Sequence, residues 1–185
     1  MTPTMERRDP SQPDPRQPDR SLLRPGLRLV VAGTVGMRRP EQYYAGPGNR
    51  FYELLHGSGL VDRRLDPDRV DLLPELGVGL TDLVLERVQR AGREPEVLVH
   101  RRPFDAAVRY VGPQVVAFVS KTAATWYARG AGYRLPRGYG ELDWDVAGVP
   151  AFVLPGPSGA NNGMPLALRL ALWTDLADFL EHVSG

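Results

Sequence analysis

Four polar segments carry the side chains that could do chemistry, and each follows a predicted strand. They are residues 33–45, 81–82, 120–121 and 156–162. Together they offer a carboxylate, hydroxyls, amides, an aromatic pair and arginines. Open α/β sheets bind ligands at the carboxyl ends of their parallel strands. We therefore expect the four segments to line one crevice.

This set of groups suits two kinds of chemistry. A carboxylate can stabilise an oxocarbenium ion or position water while a sugar bond is hydrolysed. An aromatic ring and backbone amides can hold a flat heterocycle that has left a base stack. Nucleoside triphosphate hydrolysis is not expected, because the chain has no GxxxxGK[ST] motif. The segments also hold no Ser-His-Asp set.

The elements that must position these segments alternate between strand and helix. Apolar runs predict strands over residues 27–32, 115–119 and 149–154, with a hairpin partner for the last around 142–146. Residues 77–83 fit a short strand or a loop segment. Helices are predicted over residues 49–58, 66–73, 103–110, 122–129 and 165–182. Continuous apolar strands between helices indicate a parallel sheet covered on both faces. We predict a single three-layer α/β/α domain with a mostly parallel central sheet of four to five strands.

Length and composition fit one globular domain with a tail. The chain has 185 residues, of which 42% are hydrophobic and 24% charged. Residues 1–20 hold almost nothing apolar, so we predict a disordered tail there and a domain over residues 21–185. The net charge of +1 does not by itself indicate a polyanion partner. The chain has no membrane-length apolar run and no signal-like start, which favours a cytoplasmic protein. We expect it to be a monomer.

The sequence offers no metal or disulfide chemistry that we can identify. It has no cysteine, which excludes disulfides and Cys-based metal sites. Its three histidines are far apart, so we expect no metal site.

Four motifs in chain order point to a family. They read Gly33-Thr34-Val35-Gly36-Met37, Tyr44-Ala45-Gly46-Pro47-Gly48-Asn49-Arg50-Phe51-Tyr52, Gly79-Leu80-Thr81-Asp82-Leu83-Val84 and Pro157-Ser158-Gly159-Ala160. In this order they resemble the uracil-DNA glycosylase superfamily, in the branch of mismatch-specific uracil/thymine-DNA glycosylases, over about residues 27–182.

The resemblance implies an activity and a partner. The domain would hydrolyse the N-glycosidic bond of uracil in double-stranded DNA by base flipping, and an abasic site would remain. Thymine in G·T mismatches is a second candidate base. No cofactor is implied.

One departure from the family pattern concerns catalysis. Many members carry an asparagine, thought to orient the attacking water, where this chain has Val35. The resemblance makes Asp82 the best substitute, because some members without the asparagine are thought to use an aspartate in this motif. The alternative is that Asp82 caps a following helix or turn.

The resemblance also assigns the other site residues. Thr34, Val35, Tyr44 and Asn49 would contact the base, with Tyr44 stacking on it. Alternatively, Tyr44 packs its loop on the sheet and Asn49 caps a helix. Contacts to DNA are implied for Arg38, Arg39, Lys121, Ser158, Gly159, Ala160, Asn161 and Asn162. In the last loop, Asn161 or Asn162 would fill the gap that the flipped nucleotide leaves.

Three rival functions stay open. The chain could act on hypoxanthine or another deaminated base, because one hydrogen bond in the pocket decides between bases. It could be a catalytically weak lesion-binding protein that lost hydrolysis with the asparagine. It could also be a small-molecule-binding α/β module, which predicts no steeply salt-dependent affinity for DNA.

Overall fold

The computed structural model describes residues 18, 20–34, 43–89, 91–92, 94, 96–159 and 163–184. The strands are β1 (Leu29–Gly33), β2 (Val78–Asp82), β3 (Leu85–Val88), β4 (Glu96–Val99), β5 (Val115–Val119), β6 (Gly140–Val146) and β7 (Val149–Leu154). The helices are α1 (Phe51–Gly57), a 3₁₀ helix (Pro67–Leu76), α2 (Arg101–Val111), α3 (Lys121–Ala131) and α4 (Leu166–Ser184). All but two residues of the predicted tail, 1–20, lie outside the described residues.

Five strands form the central sheet in the order β2-β1-β5-β7-β6. The first four strands run parallel, and β6 joins the edge antiparallel to β7. Every residue of β1, β2 and β5 is buried, as expected for parallel strands covered on both faces. The predicted mostly parallel sheet is confirmed, and so is the hairpin partner of the last strand.

The sheet separates two apolar clusters, because successive strand residues point to opposite faces. Leu29 and Val31 of β1 pack in one cluster with α1, the 3₁₀ helix and α4. Val30 and Ala32 pack in the other with α2 and α3. The predicted three-layer α/β/α domain is therefore confirmed.

Local signals set the helix boundaries within a few residues of the prediction. At the start of α3, Ser120 Oγ accepts a hydrogen bond from the Ala123 backbone N–H (3.1 Å). This is the side-chain cap that serine provides at helix N-termini. The α3 helix ends at Gly132, whose φ of +72° is a conformation that glycine adopts without strain.

A small hairpin between β2 and α2 was not predicted. Strands β3 and β4 pair antiparallel as a separate two-stranded sheet. Each has only four residues and none of them is buried, so neither gives the long buried apolar run of the central strands. Within the described residues, no helix is long and apolar enough to cross a membrane.

Candidate active site

The carboxyl ends of β1, β2, β5 and β7 lie at one edge of the sheet, because these four strands are parallel. The four segments predicted to line a crevice follow these strands, so their described parts meet at this edge. In the sheet, β2 lies on one side of β1 and β5 lies on the other side. The order in which the chain adds strands therefore reverses beside β1. Ligand crevices of open α/β sheets form at such reversals.

Asp82 ends β2 and stands opposite Gly33, which ends β1. The aspartate is buried, with 6% of its surface exposed. A Cβ atom added to Gly33 would lie 2.5 Å from Asp82 Oδ1, closer than real Cβ atoms approach other atoms. The glycine thus leaves the space beside β1 that the carboxylate occupies. No helix follows Asp82, because the next element is β3, so of the capping alternative only a role in the turn between β2 and β3 stays open.

Tyr44 lies beside this carboxylate. Its ring stacks on Phe51, with centroids 4.0 Å apart and planes inclined by 10°. Its hydroxyl oxygen would lie 3.2 Å from a Cβ atom on Gly33. Burial raises the pKa of the Tyr44 phenol well above its ordinary value, and the nearby charges of Asp82 and Tyr52 raise it further. The phenol is therefore neutral, and a hydrogen-bond donor, at physiological pH.

The neighbouring tyrosine has a packing role. Tyr43 is buried, and its backbone carbonyl accepts a hydrogen bond from the Tyr52 hydroxyl (3.0 Å). The sequence left open which of the two tyrosines packs the loop. Both rings pack on the same apolar cluster, but Tyr43 is fully buried, whereas the Tyr44 hydroxyl also lies near the Asp82 carboxylate.

A row of aromatic rings links Tyr44 to the last crevice loop. Phe51 contacts Trp173 of α4 edge to face, with centroids 5.7 Å apart. The Trp173 indole N–H donates to the Pro155 carbonyl (3.2 Å) in the loop after β7. Phe51 and Trp173 are both fully buried, so this row is a rigid support under the crevice.

The loops before α1 and after β7 also touch through their backbones. The Arg50 N–H donates to the Pro157 carbonyl (2.9 Å). A Cβ atom on Gly159 would lie 3.2 Å from the Gly48 carbonyl oxygen, so the two chains pass closely. Asn49 Oδ1 accepts from the Phe51 N–H (2.9 Å), which caps the first turn of α1. This bond is the capping role, one of the two that the sequence left open for Asn49, and the contact with the base stays a prediction.

Ser158, beside Gly159, is held by a second contact. The Ser158 side chain is exposed, and its carbonyl accepts a hydrogen bond from Arg169 Nη1 (3.3 Å). Arg169 belongs to the first turns of α4 and is 6% exposed. A buried guanidinium thus supports the loop that the sequence assigned to DNA contact.

Lys121 begins α3 at the same edge and is exposed. Its ammonium lies 4.5 Å from the centre of the Tyr139 ring, which is a cation–π contact. Tyr139 directly precedes β6, whose first residue, Gly140, pairs with Val153 near the carboxyl end of β7. The pair therefore extends the crevice edge toward β6.

Of the remaining predicted site residues, the structure describes only Thr34. Thr34 is half-buried and follows β1 directly, at the crevice edge. Val35, Arg38, Arg39, Ala160, Asn161 and Asn162 lie outside the described residues. Across the described ranges, no group of three His, Asp or Glu side chains could hold a metal ion.

Several residues of this site escaped the sequence interpretation. Gly33 was placed in the first crevice segment and the first motif but was given no role, although its close contact with Asp82 makes it part of the site. Tyr139 had no local signal. Arg169 did have one, because it stands four residues before the buried Trp173, and residues so spaced share one helix face.

The sequence model of the Uracil DNA glycosylase superfamily matches residues 22–177 of this chain. The match contains all the crevice segments and all five strands of the central sheet. It confirms the resemblance at the level of the superfamily. The activity is that of a DNA glycosylase, a hydrolase of base excision repair whose macromolecular partner is DNA.

Proposed function

Because the chain belongs to the uracil DNA glycosylase superfamily, we propose that it is a mismatch-specific uracil-DNA glycosylase of double-stranded DNA. Thymine in G·T mismatches is the second candidate base. The observation that carries the proposal is the buried Asp82 carboxylate at the carboxyl edge of the sheet, beside Gly33 and near the Tyr44 hydroxyl. Such a carboxylate can stabilise positive charge on a sugar or accept a proton from water.

The proposed reaction is hydrolysis at C1′ of the flipped nucleotide. The bond between C1′ and the base nitrogen breaks, and its electron pair leaves with the base. Asp82 stabilises the oxocarbenium-like sugar. Water then adds its oxygen to C1′ and its proton passes to Asp82 or to solvent, so that an abasic site remains.

The other site residues would hold the substrate. Phe51 covers one face of the Tyr44 ring at 4.0 Å, so a flipped base would stack on the opposite face. Thr34, Val35 and Asn49 would contact the base edge. Phosphates would be bound by Arg38, Arg39, Lys121 and Ser158, and the loop of Gly159, Ala160, Asn161 and Asn162 would fill the vacated place in the duplex.

The experiment is single-turnover release of free base from duplexes that carry uracil, thymine or hypoxanthine opposite each partner base. Asp82→Asn should slow the release of uracil at least tenfold while its affinity for lesion DNA stays near that of the wild type. Asp145→Asn is the matched control. It removes an equal charge from an exposed position, which pairs with Pro150 at the far end of the β6–β7 hairpin.

The outcomes separate the rival functions. A wild-type protein that shifts lesion DNA on a gel but releases no base is a lesion-binding protein. Faster release of hypoxanthine than of uracil selects the alternative substrate. Full activity of Asp82→Asn shows that another residue does the chemistry.

A further inference from the structure

The Tyr44 ring is held in one orientation. Its backbone φ of +56° is uncommon for a non-glycine residue, so the loop holds it there against local preference. The ring stacks on Phe51, which is itself fully buried and packed against Trp173. A ring supported in this way fixes the position of its hydroxyl.

The hydroxyl and the Asp82 carboxylate approach the same place. Both Tyr44 Oη and Asp82 Oδ1 lie within 3.2 Å of the point where a Cβ of Gly33 would stand. The two oxygens are therefore close neighbours. One water molecule can bridge polar groups that lie near each other.

The two groups are chemically complementary. An ionised carboxylate can only accept hydrogen bonds, whereas the asparagine side chain of the family pattern both donates and accepts. With Val35 in place of that asparagine, Asp82 alone has no donor to offer. The Tyr44 phenol is neutral at physiological pH, as an ordinary tyrosine is, and burial and the Asp82 charge raise its pKa further. It can therefore supply the missing donor.

We propose that Tyr44 is a positioning residue whose hydroxyl, together with the Asp82 carboxylate, orients the water that attacks C1′. Tyr44 donates to the water oxygen, and the water donates to Asp82. A lone pair of the water is then left to face the sugar. This inference rests on the proposed function of Asp82 and adds to it a role for the hydroxyl that base stacking does not require.

Tyr44→Phe is the informative variant, because it keeps the ring that stacks on Phe51 and removes only the hydroxyl. We expect the single-turnover rate constant for base release to fall about tenfold. This is less than a general acid or base contributes, because Tyr44 only positions the water. The dissociation constant for lesion DNA should stay within twofold of the wild type. Tyr127→Phe is the matched control, since it removes a buried hydroxyl that donates to Asp105 (2.7 Å) on the other side of the sheet.

A double variant tests whether the two groups act on the same water. If they do, Tyr44→Phe should cost less than threefold in the Asp82→Asn background, although it costs about tenfold alone. A rate of Tyr44→Phe within twofold of the wild type overturns the inference. So does an unchanged rate with weakened lesion binding, because the hydroxyl would then contact the base. Full activity of Asp82→Asn would instead overturn the proposed function, so the two failures are distinguishable.

Discussion

Gly33 and Asp82 are register partners at the ends of two parallel strands, and the missing side chain of one makes room for the carboxylate of the other. The Leu83 N–H donates to the Gly33 carbonyl (2.8 Å), which continues the pairing one residue past β2. The carboxylate is thus held by backbone pairing on a buried strand. Rigid elements of this kind position catalytic groups more accurately than loops do.

Gly33→Ala should reduce base release at least tenfold with only a small loss of stability. The added Cβ would lie 2.5 Å from Asp82 Oδ1, and the end of the aspartate side chain can move away while the backbone stays. Single-turnover kinetics and thermal unfolding measure the two effects. Gly138→Ala is the control, because a Cβ there meets nothing within 4 Å. An active Gly33→Ala protein would show that the carboxylate position is not critical.

Asn49 allows capping and base contact to be separated. Asn49→Ala removes the acceptor of the Phe51 N–H and should destabilise the fold by about 1 kcal/mol. Asn49→Asp keeps an acceptor oxygen and should restore that stability in denaturant unfolding. If the amide also contacts the base, Asn49→Asp will release the base slowly even though its stability is restored. Wild-type release by Asn49→Asp would limit Asn49 to the cap.

Lys121 should contribute to the salt dependence of DNA binding. A single phosphate contact contributes about 0.9 to the slope of log K against log salt concentration, so Lys121→Met should lower the slope by about that amount. Tyr139→Leu removes the ring that lies under the Lys121 ammonium and should also weaken DNA binding. Tyr139→Phe keeps the ring.

The control for the salt measurement is Arg63→Gln. Arg63 is exposed and stands three residues after Leu60 in the chain. The Leu60 carbonyl accepts a hydrogen bond from Arg28, which directly precedes β1 and so lies at the opposite edge of the sheet. An equal loss of slope in Arg63→Gln and Lys121→Met would mean that Lys121 contributes only to overall charge.

Stability should fall in alkaline solution. Burial raises the pKa values of Tyr44, Tyr52 and Tyr127 in the folded chain. Above about pH 10, the ordinary tyrosine pKa, the unfolded chain loses these protons while the folded chain keeps them. The unfolded state then binds fewer protons, so the free energy of unfolding decreases as pH rises. Thermal unfolding between pH 8 and pH 11 (a window of about one to two units around that value) tests this, and a constant melting temperature would contradict it.

Much of the architecture could be predicted because its signals are local. The runs 115–119 and 149–154 are continuously apolar, and the observed strands β5 and β7 have the same bounds. Ser120 and Gly132 bound α3 through contacts made within a few residues. The β3–β4 hairpin had no such signal, because its short strands are only partly buried.

The order of motifs along the chain also identified the superfamily and selected Asp82, Tyr44 and Asn49 as site residues. Their geometry was beyond the sequence. Gly33 and Asp82 are far apart along the chain and meet only because β1 pairs with β2 in this register. The stacking of Tyr44 on Phe51, and the hydroxyl position that follows from it, depend on α1 packing against α4. Strand order and ring packing are set by burial across the whole core, so only the tertiary structure decided which side chains come into contact there.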